Sequence, residues 1–159
     1  LEAHNVFFFE EPCPFEELEE TRRVAEALAM PVAGGEQDTS LPRFQWMVKN
    51  RVVDIVQPDL DYNGGFVRAA RVARMAEAAG MAITPHSARL GADPVYMLHF
   101  ASVTADIGPY QEYKMGIEKY SNWFDPPLKI SSGAITVPKG PGVGIADIVD
   151  LLKDAKPLA

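Results

Sequence analysis

Cysteine and positive charge are both scarce in this chain. One cysteine among 159 residues, Cys13, rules out an internal disulfide. It lies between Pro12 and Pro14 with no histidine near it in sequence, so it reads as a small buried thiol rather than a nucleophile. Lysine and arginine number 15 against 22 acids, a net charge of −7, and no basic run interrupts the sequence. A binding surface for nucleic acid or for an anionic membrane is therefore not expected. No charged-then-apolar leader is present, and no apolar stretch nears the roughly 20 residues needed to cross a bilayer. A reducing, cytoplasmic setting is the expectation. The first residue is Leu1 rather than methionine and a strongly apolar run follows almost at once, so the sequence reads as beginning in mid-protein.

Short apolar runs alternate with longer amphipathic ones. Residues 6–9 (Val6, Phe7, Phe8, Phe9) read as a strand buried on both faces and broken by Pro12. A helix is expected over 15–28, with Glu16, Glu17, Glu19 and Glu20 in its first turns, where the helix dipole favours negative charge. Strands over 30–33, 52–56 and 81–84 follow, with helices over 41–48, 66–79 and 94–101 between and after them, and a possible fifth strand over 110–113. A strand-and-helix unit about every 25–30 residues implies parallel strands with crossover helices. After Lys114 the rhythm breaks. Residues 128–137 read as a hairpin that need not pack on the rest, a Gly/Pro-rich loop follows, and a last helix is expected over 145–153.

Ionisable residues fall just after the expected strands: Glu10, Glu36, Asp59 and His86, with Glu112 in the fifth. In parallel (β/α) architectures the C-terminal strand ends form one face, so these side chains would converge. Acids at neighbouring strand ends repel unless a cation or a shared proton offsets them, and magnesium is the natural hard, oxygen-seeking cation. Solvated loop acids would satisfy the same pattern. Asp59 beside His86 would fix the imidazole tautomer and make a general acid/base dyad, against the alternative of a structural histidine bonded to a loop carbonyl. His4 and His99 have no comparable support.

The order and spacing of four motifs carry a resemblance. Phe9-Glu10-Glu11-Pro12, Gly34-Gly35-Glu36, Pro58-Asp59 with Asn63-Gly64-Gly65, and Pro85-His86-Ser87 resemble the mandelate racemase-like branch of the enolase superfamily. The resemblance implies the C-terminal half of a TIM-type (β/α) barrel, with residues 1–125 as family strands four to eight. Residues 126–159 would form a tail whose hairpin returns toward a capping domain. It implies a magnesium ion on Glu10 and Glu36, with Glu11 a supporting acid and the third ligand on a strand before this chain begins. His86 would be the acid/base catalyst and Asp59 its orienting partner. Glu112 would hydrogen-bond the enolate oxygen, with Asp106 a weaker candidate for that role.

The chemistry so implied is removal of the proton α to a carboxylate, with dehydration of an acid sugar to a 2-keto-3-deoxy acid as the first expectation. A racemase or epimerase of a 2-hydroxy acid is the nearest alternative. From a different class comes a non-catalytic piece of barrel that self-associates. Half a barrel exposes strand edges, so a homo-oligomer or a complementing chain carrying the early strands is expected as partner. Arg89, Asp61 and Asn63 have no assigned role.

Overall fold

In the computed structural model, which describes residues 1–87, 89–153 and 155–156, strands and helices alternate from Phe9 to Val103. The strands are β1 (Phe9–Glu10), β2 (Val32–Gly34), β3 (Ile55–Val56) and β4 (Ala82–Ile83). The helices are α1 (Leu18–Ala27), α2 (Leu41–Lys49), α3 (Phe66–Ala78) and α4 (Asp93–Val103). The four strands pair in sequence order and all in parallel, in the registers Phe9↔Val32, Ala33↔Ile55 and Ile55↔Ala82. The expected parallel α/β architecture is what the chain forms.

Local chemistry explains the limits of each element. The acids of α1 follow the dipole and also pair along its face, Arg22 with Glu19 and Glu26, and Arg23 with Glu20. Its start slips from the expected residue 15 to Leu18, because the Glu17 amide first closes a turn on the Pro14 carbonyl. α3 begins after Gly64 and Gly65, both at φ near 90°, a conformation that β-carbon-bearing residues rarely adopt. Asp54 staples β2 to β3: its carboxylate accepts from the Val32 amide and its own amide donates to the Val32 carbonyl.

The core fills the space between the sheet and its helices, with Phe44, Val56, Val72 and Ile83 all at 0% exposure. Full burial of a phenylalanine contributes about 3–5 kcal/mol relative to alanine at the same position. Against the core, between α4, residues 107–113 and the later hairpin, lies an apolar cavity of about 440 Å³.

Three expectations need correction. The strand expected over 6–9 is formed only at Phe9–Glu10 and is not buried on both faces: Phe9 is half-buried, Glu10 is exposed, and Val6 and Phe7 before it stand 37% and 48% exposed. Phe7 packs edge-on against Phe8 and Tyr110 instead. Residues 110–113 form no strand. The fifth strand position is held by Ile107, which makes a single parallel bridge to Ile83, and the next residue but one, Pro109, has no N–H to continue a ladder. The segment after Lys114 does pack on the rest: Ile117, Phe124 and Leu128 are each 1% exposed and join the core. Its hairpin, β5 (Ile130–Ser131) with β6 (Ala134–Ile135), is antiparallel, and α5 (Ile148–Leu152) follows.

Gly108 donates its amide to the Ile83 carbonyl, and a β-carbon there would collide with Thr84 Oγ1. Gly108→Ala should cost about 1–3 kcal/mol, as overpacking does. Adding Thr84→Ala should recover much of that loss, so a urea-denaturation double-mutant cycle reads strong coupling, whereas additive costs would refute the contact.

Candidate active site

Each strand ends by delivering a side chain to one face. Glu10 closes β1 and Glu36 follows β2 by two residues. Asp59 and His86 continue the paths of β3 and β4 and form a parallel bridge with each other, beyond the formal strand ends. Because the backbones run in register there, the side chains at 59 and 86 emerge side by side.

His86 is the hub. Its Nδ1 lies 3.0 Å from Asp59 Oδ2, its Nε2 lies 3.3 Å from Glu36 Oε2, and the same Nε2 lies 3.7 Å from Glu112 Oε2. The imidazole is mostly buried, with 11% of its side-chain surface exposed, and the Asp59 side chain is more buried still at 3%. That buried carboxylate is fully served: the amides of Asp61 and Tyr62 each donate to Oδ1 at 2.8 Å, leaving Oδ2 for the ring. A buried acid so satisfied is affordable only because those donors are fixed in a turn.

Glu112 reaches the site from a loop, not from a strand end as expected. Its Oε2 accepts the Ser87 amide at 2.8 Å, which holds an otherwise exposed side chain beside the imidazole. Asp106 is not brought in. It sits exposed in a left-handed turn before Ile107, its carbonyl accepting the Ile83 amide. His4 is exposed, and His99 meets the Val143 carbonyl at 3.3 Å. Of the cluster around His86, only Glu112 also lines the large apolar cavity.

The opposite side of His86 is crowded with negative charge. Burial, followed by the nearby Glu11 and Glu10 and a hydrogen bond with Glu10, pushes the Glu36 carboxyl up to about 7, while His86 pulls the other way. Glu11 adds to the crowding from a left-handed backbone (φ 40°), with Oε2 accepting from Gln37 at 3.0 Å and Oε1 buried without a partner. Among the described residues, no three His, Cys, Asp or Glu side chains converge as a metal-holding group. The pair Glu10 and Glu36 nevertheless fits a hard cation. Both are oxygen donors in mutual contact, and the raised Glu36 value, due first to burial and then to its acidic neighbours, is a cost that a bound cation would offset.

Missed from sequence are the supports of this cluster: the role of Ser87, whose amide holds Glu112, and Asp93, which accepts from Ser87 Oγ and the Arg89 amide at 3.2 Å each. An aspartate immediately before Pro94 at a helix start was the available signal. Arg89 is paired with Asp61 and stacks 5.2 Å from the centre of the Tyr62 ring.

The raised Glu36 value has a sign that can be tested. Between its ordinary 4.5 and about 7 the folded chain holds a proton that the unfolded chain has released, so metal-free stability should fall as pH rises through that window. Urea midpoints should decline across it, and Glu36→Gln should flatten the decline; a wild-type profile as flat as the variant's would contradict the assignment.

Comparison with known proteins places the chain in a family. Residues 1–147 match the profile of the family described as Enolase C-terminal domain-like. Arabinonate dehydratase of Saccharolobus solfataricus is 31% identical over 91% of this chain and 38% of its own length. D-galactonate dehydratase of Ralstonia pickettii is 32% identical over 91% of this chain and 40% of its own. Among solved structures, L-talarate dehydratase of Polaromonas sp. JS666, complexed with Mg and L-glucarate, superposes with a TM-score of 0.73 at 26% identity, over 91% of this chain and 38% of that one. The chain thus spans about two fifths of the length of the curated relatives it matches. With a match over nearly its whole length, this chain belongs to the enolase C-terminal domain-like family, within the mandelate racemase and muconate lactonizing enzyme branch of the enolase superfamily.

Proposed function

We propose that this chain carries the proton-abstracting half of a magnesium-dependent acid-sugar dehydratase. The observation that supports this most is the placement of His86, with Nδ1 on a buried, fully bonded Asp59 and Nε2 turned toward Glu36 and Glu112. The relatives named as arabinonate and galactonate dehydratases support a substrate of the same class, a sugar acid with a hydroxyl on the carbon next to the α-carbon.

An α-proton beside a carboxylate is only weakly acidic, so its removal requires a placed base and stabilisation of the developing enediolate. Glu10 and Glu36 would hold the magnesium ion, which when bound supplies positive charge to offset that of the enediolate. Holding it requires both carboxylates ionised, which the ion itself favours.

His86 takes the α-proton at Nε2. Asp59 keeps the proton at Nδ1 on its own side of the ring, so that Nε2 presents a lone pair, and then stabilises the imidazolium. Glu112, beside Nε2 at 3.7 Å, is the group that hydrogen-bonds the enediolate oxygen. The imidazolium returns its proton to the β-hydroxyl, the Cβ–O bond breaks and water leaves. The resulting enol tautomerises to the 2-keto-3-deoxy acid.

Assembly belongs to the same proposal. β1 pairs on one side only among the described residues, and Val6 and Phe7 are exposed beside it. That edge suits a second copy or a complementing chain.

With the barrel completed by the chain that supplies its early strands, a panel of acid sugars with magnesium should yield 2-keto-3-deoxy acid, and His86→Asn should lower turnover by about 10²–10⁴-fold, the usual contribution of a general base. No product from any acid sugar, or undiminished product from the variant, would overturn the reading. In a separate titration, Glu36→Gln should abolish magnesium binding that calorimetry detects in the unaltered chain; retained binding would remove Glu36 from the metal site.

A further inference from the structure

The loop after His86 is held at more points than a surface connection requires. Ser87 is 2% exposed. Its amide donates to Glu112 Oε2 at 2.8 Å, and its hydroxyl donates to Asp93 Oδ2 at 3.2 Å. The Arg89 amide donates to the same Asp93 oxygen at 3.2 Å. From Arg89 the guanidinium turns back to Asp61 and lies over the Tyr62 ring. Asp61 and Tyr62 are the two residues whose amides hold Asp59. One carboxylate at the first residue of α4 thus governs both sides of His86. Through Ser87 it sets the donor that places Glu112, and through Arg89 it braces the turn that places Asp59.

We propose that Asp93 is a positioning residue for the proton-transfer site, pinning residues 87 and 89 so that Glu112 and Asp59 keep their stations on either side of His86. The inference rests on the proposed dehydratase reading for its kinetic consequence but not for its structural one. A merely structural helix cap would bond the first amides of its own helix; Asp93 instead bonds backwards to the loop that carries the site. Burial raises the Asp93 carboxyl above its ordinary value despite those two hydrogen bonds, so the residue is kept there against a desolvation cost. An uncharged polar or apolar residue would meet the needs of folding at lower cost.

The test compares Asp93→Ala with Asp93→Asn, whose amide oxygen can accept the same two hydrogen bonds. Two readouts are taken: hydrogen exchange of the Ser87 amide by NMR on the whole chain, and, with the barrel completed by the chain that supplies its early strands, kcat and KM on whichever acid sugar the unaltered assembly turns over. Asp93→Ala should speed Ser87 exchange by at least about tenfold and lower kcat by about 10–100-fold with little change in KM, the size of loss typical when a supporting group is removed from a site. Asp93→Asn should restore most of both. If Asp93→Ala does not fold, Ser87→Ala, which removes only the hydroxyl bond, should show the same two changes in weaker form. Unchanged Ser87 exchange in a folded Asp93→Ala, or an asparagine variant as impaired as the alanine one, would overturn the proposal. A completed barrel that turns over no acid sugar would sink the dehydratase reading, and the exchange measurement would still decide the role of Asp93.

Discussion

The contact between Asp59 and His86 is the constraint on which the rest of the site depends. A carboxylate that is almost fully buried is costly unless every lone pair it presents is used. Here two backbone amides and one imidazole nitrogen use them. The contact is possible because β3 and β4 run parallel in register and extend as a bridge to residues 59 and 86. The fold therefore builds the dyad through backbone pairing rather than through flexible side chains, and the imidazole inherits the rigidity of the sheet. Its other nitrogen then has one direction to face, toward the acids delivered by β1, β2 and the loop after Ile107.

Those acids show a site arranged against local stability. Glu36 is pushed up to about 7 by burial and by its acidic neighbours, and Glu11 sits in a left-handed conformation with one buried oxygen unpaired. Nothing in the packing of the core calls for this. A cluster of like charges held together by its scaffold is what a cation-binding face requires before the cation arrives, since the ion converts the repulsion into binding energy. The supporting contacts point the same way. Asp93 and the Ser87 amide hold in place a carboxylate, Glu112, that would otherwise be a mobile side chain on an exposed loop.

Much of this was legible in the sequence because the signals were local. Apolar runs followed by Glu10, Glu36, Asp59 and His86 mark strand ends directly, and Gly64-Gly65 and Gly80 mark where α3 begins and ends. What escaped was set by partners distant in sequence. The run at residues 6–9 looks like a central strand, yet its burial depends on a neighbour on its second side, which no local pattern can report. Residues 110–113 carry β-forming tyrosines, but Pro109 and the single bridge at Ile107 fix the strand position earlier. Leu128 reads as part of a detached hairpin, and only the tertiary structure shows it filling the core. Asp93 reads as an ordinary acid at a helix start because its partners lie behind it in the loop.

The tautomer of His86 tests the central claim most directly. Only three histidines are present, and the three imidazole rings can be assigned by long-range proton–nitrogen NMR at neutral pH on labelled chain. The account predicts that Nδ1 of His86 carries the proton in its bond to Asp59, and that Asp59→Asn removes this preference. A His86 ring protonated at Nε2 and bare at Nδ1, or one whose signals do not respond to Asp59→Asn, would contradict it.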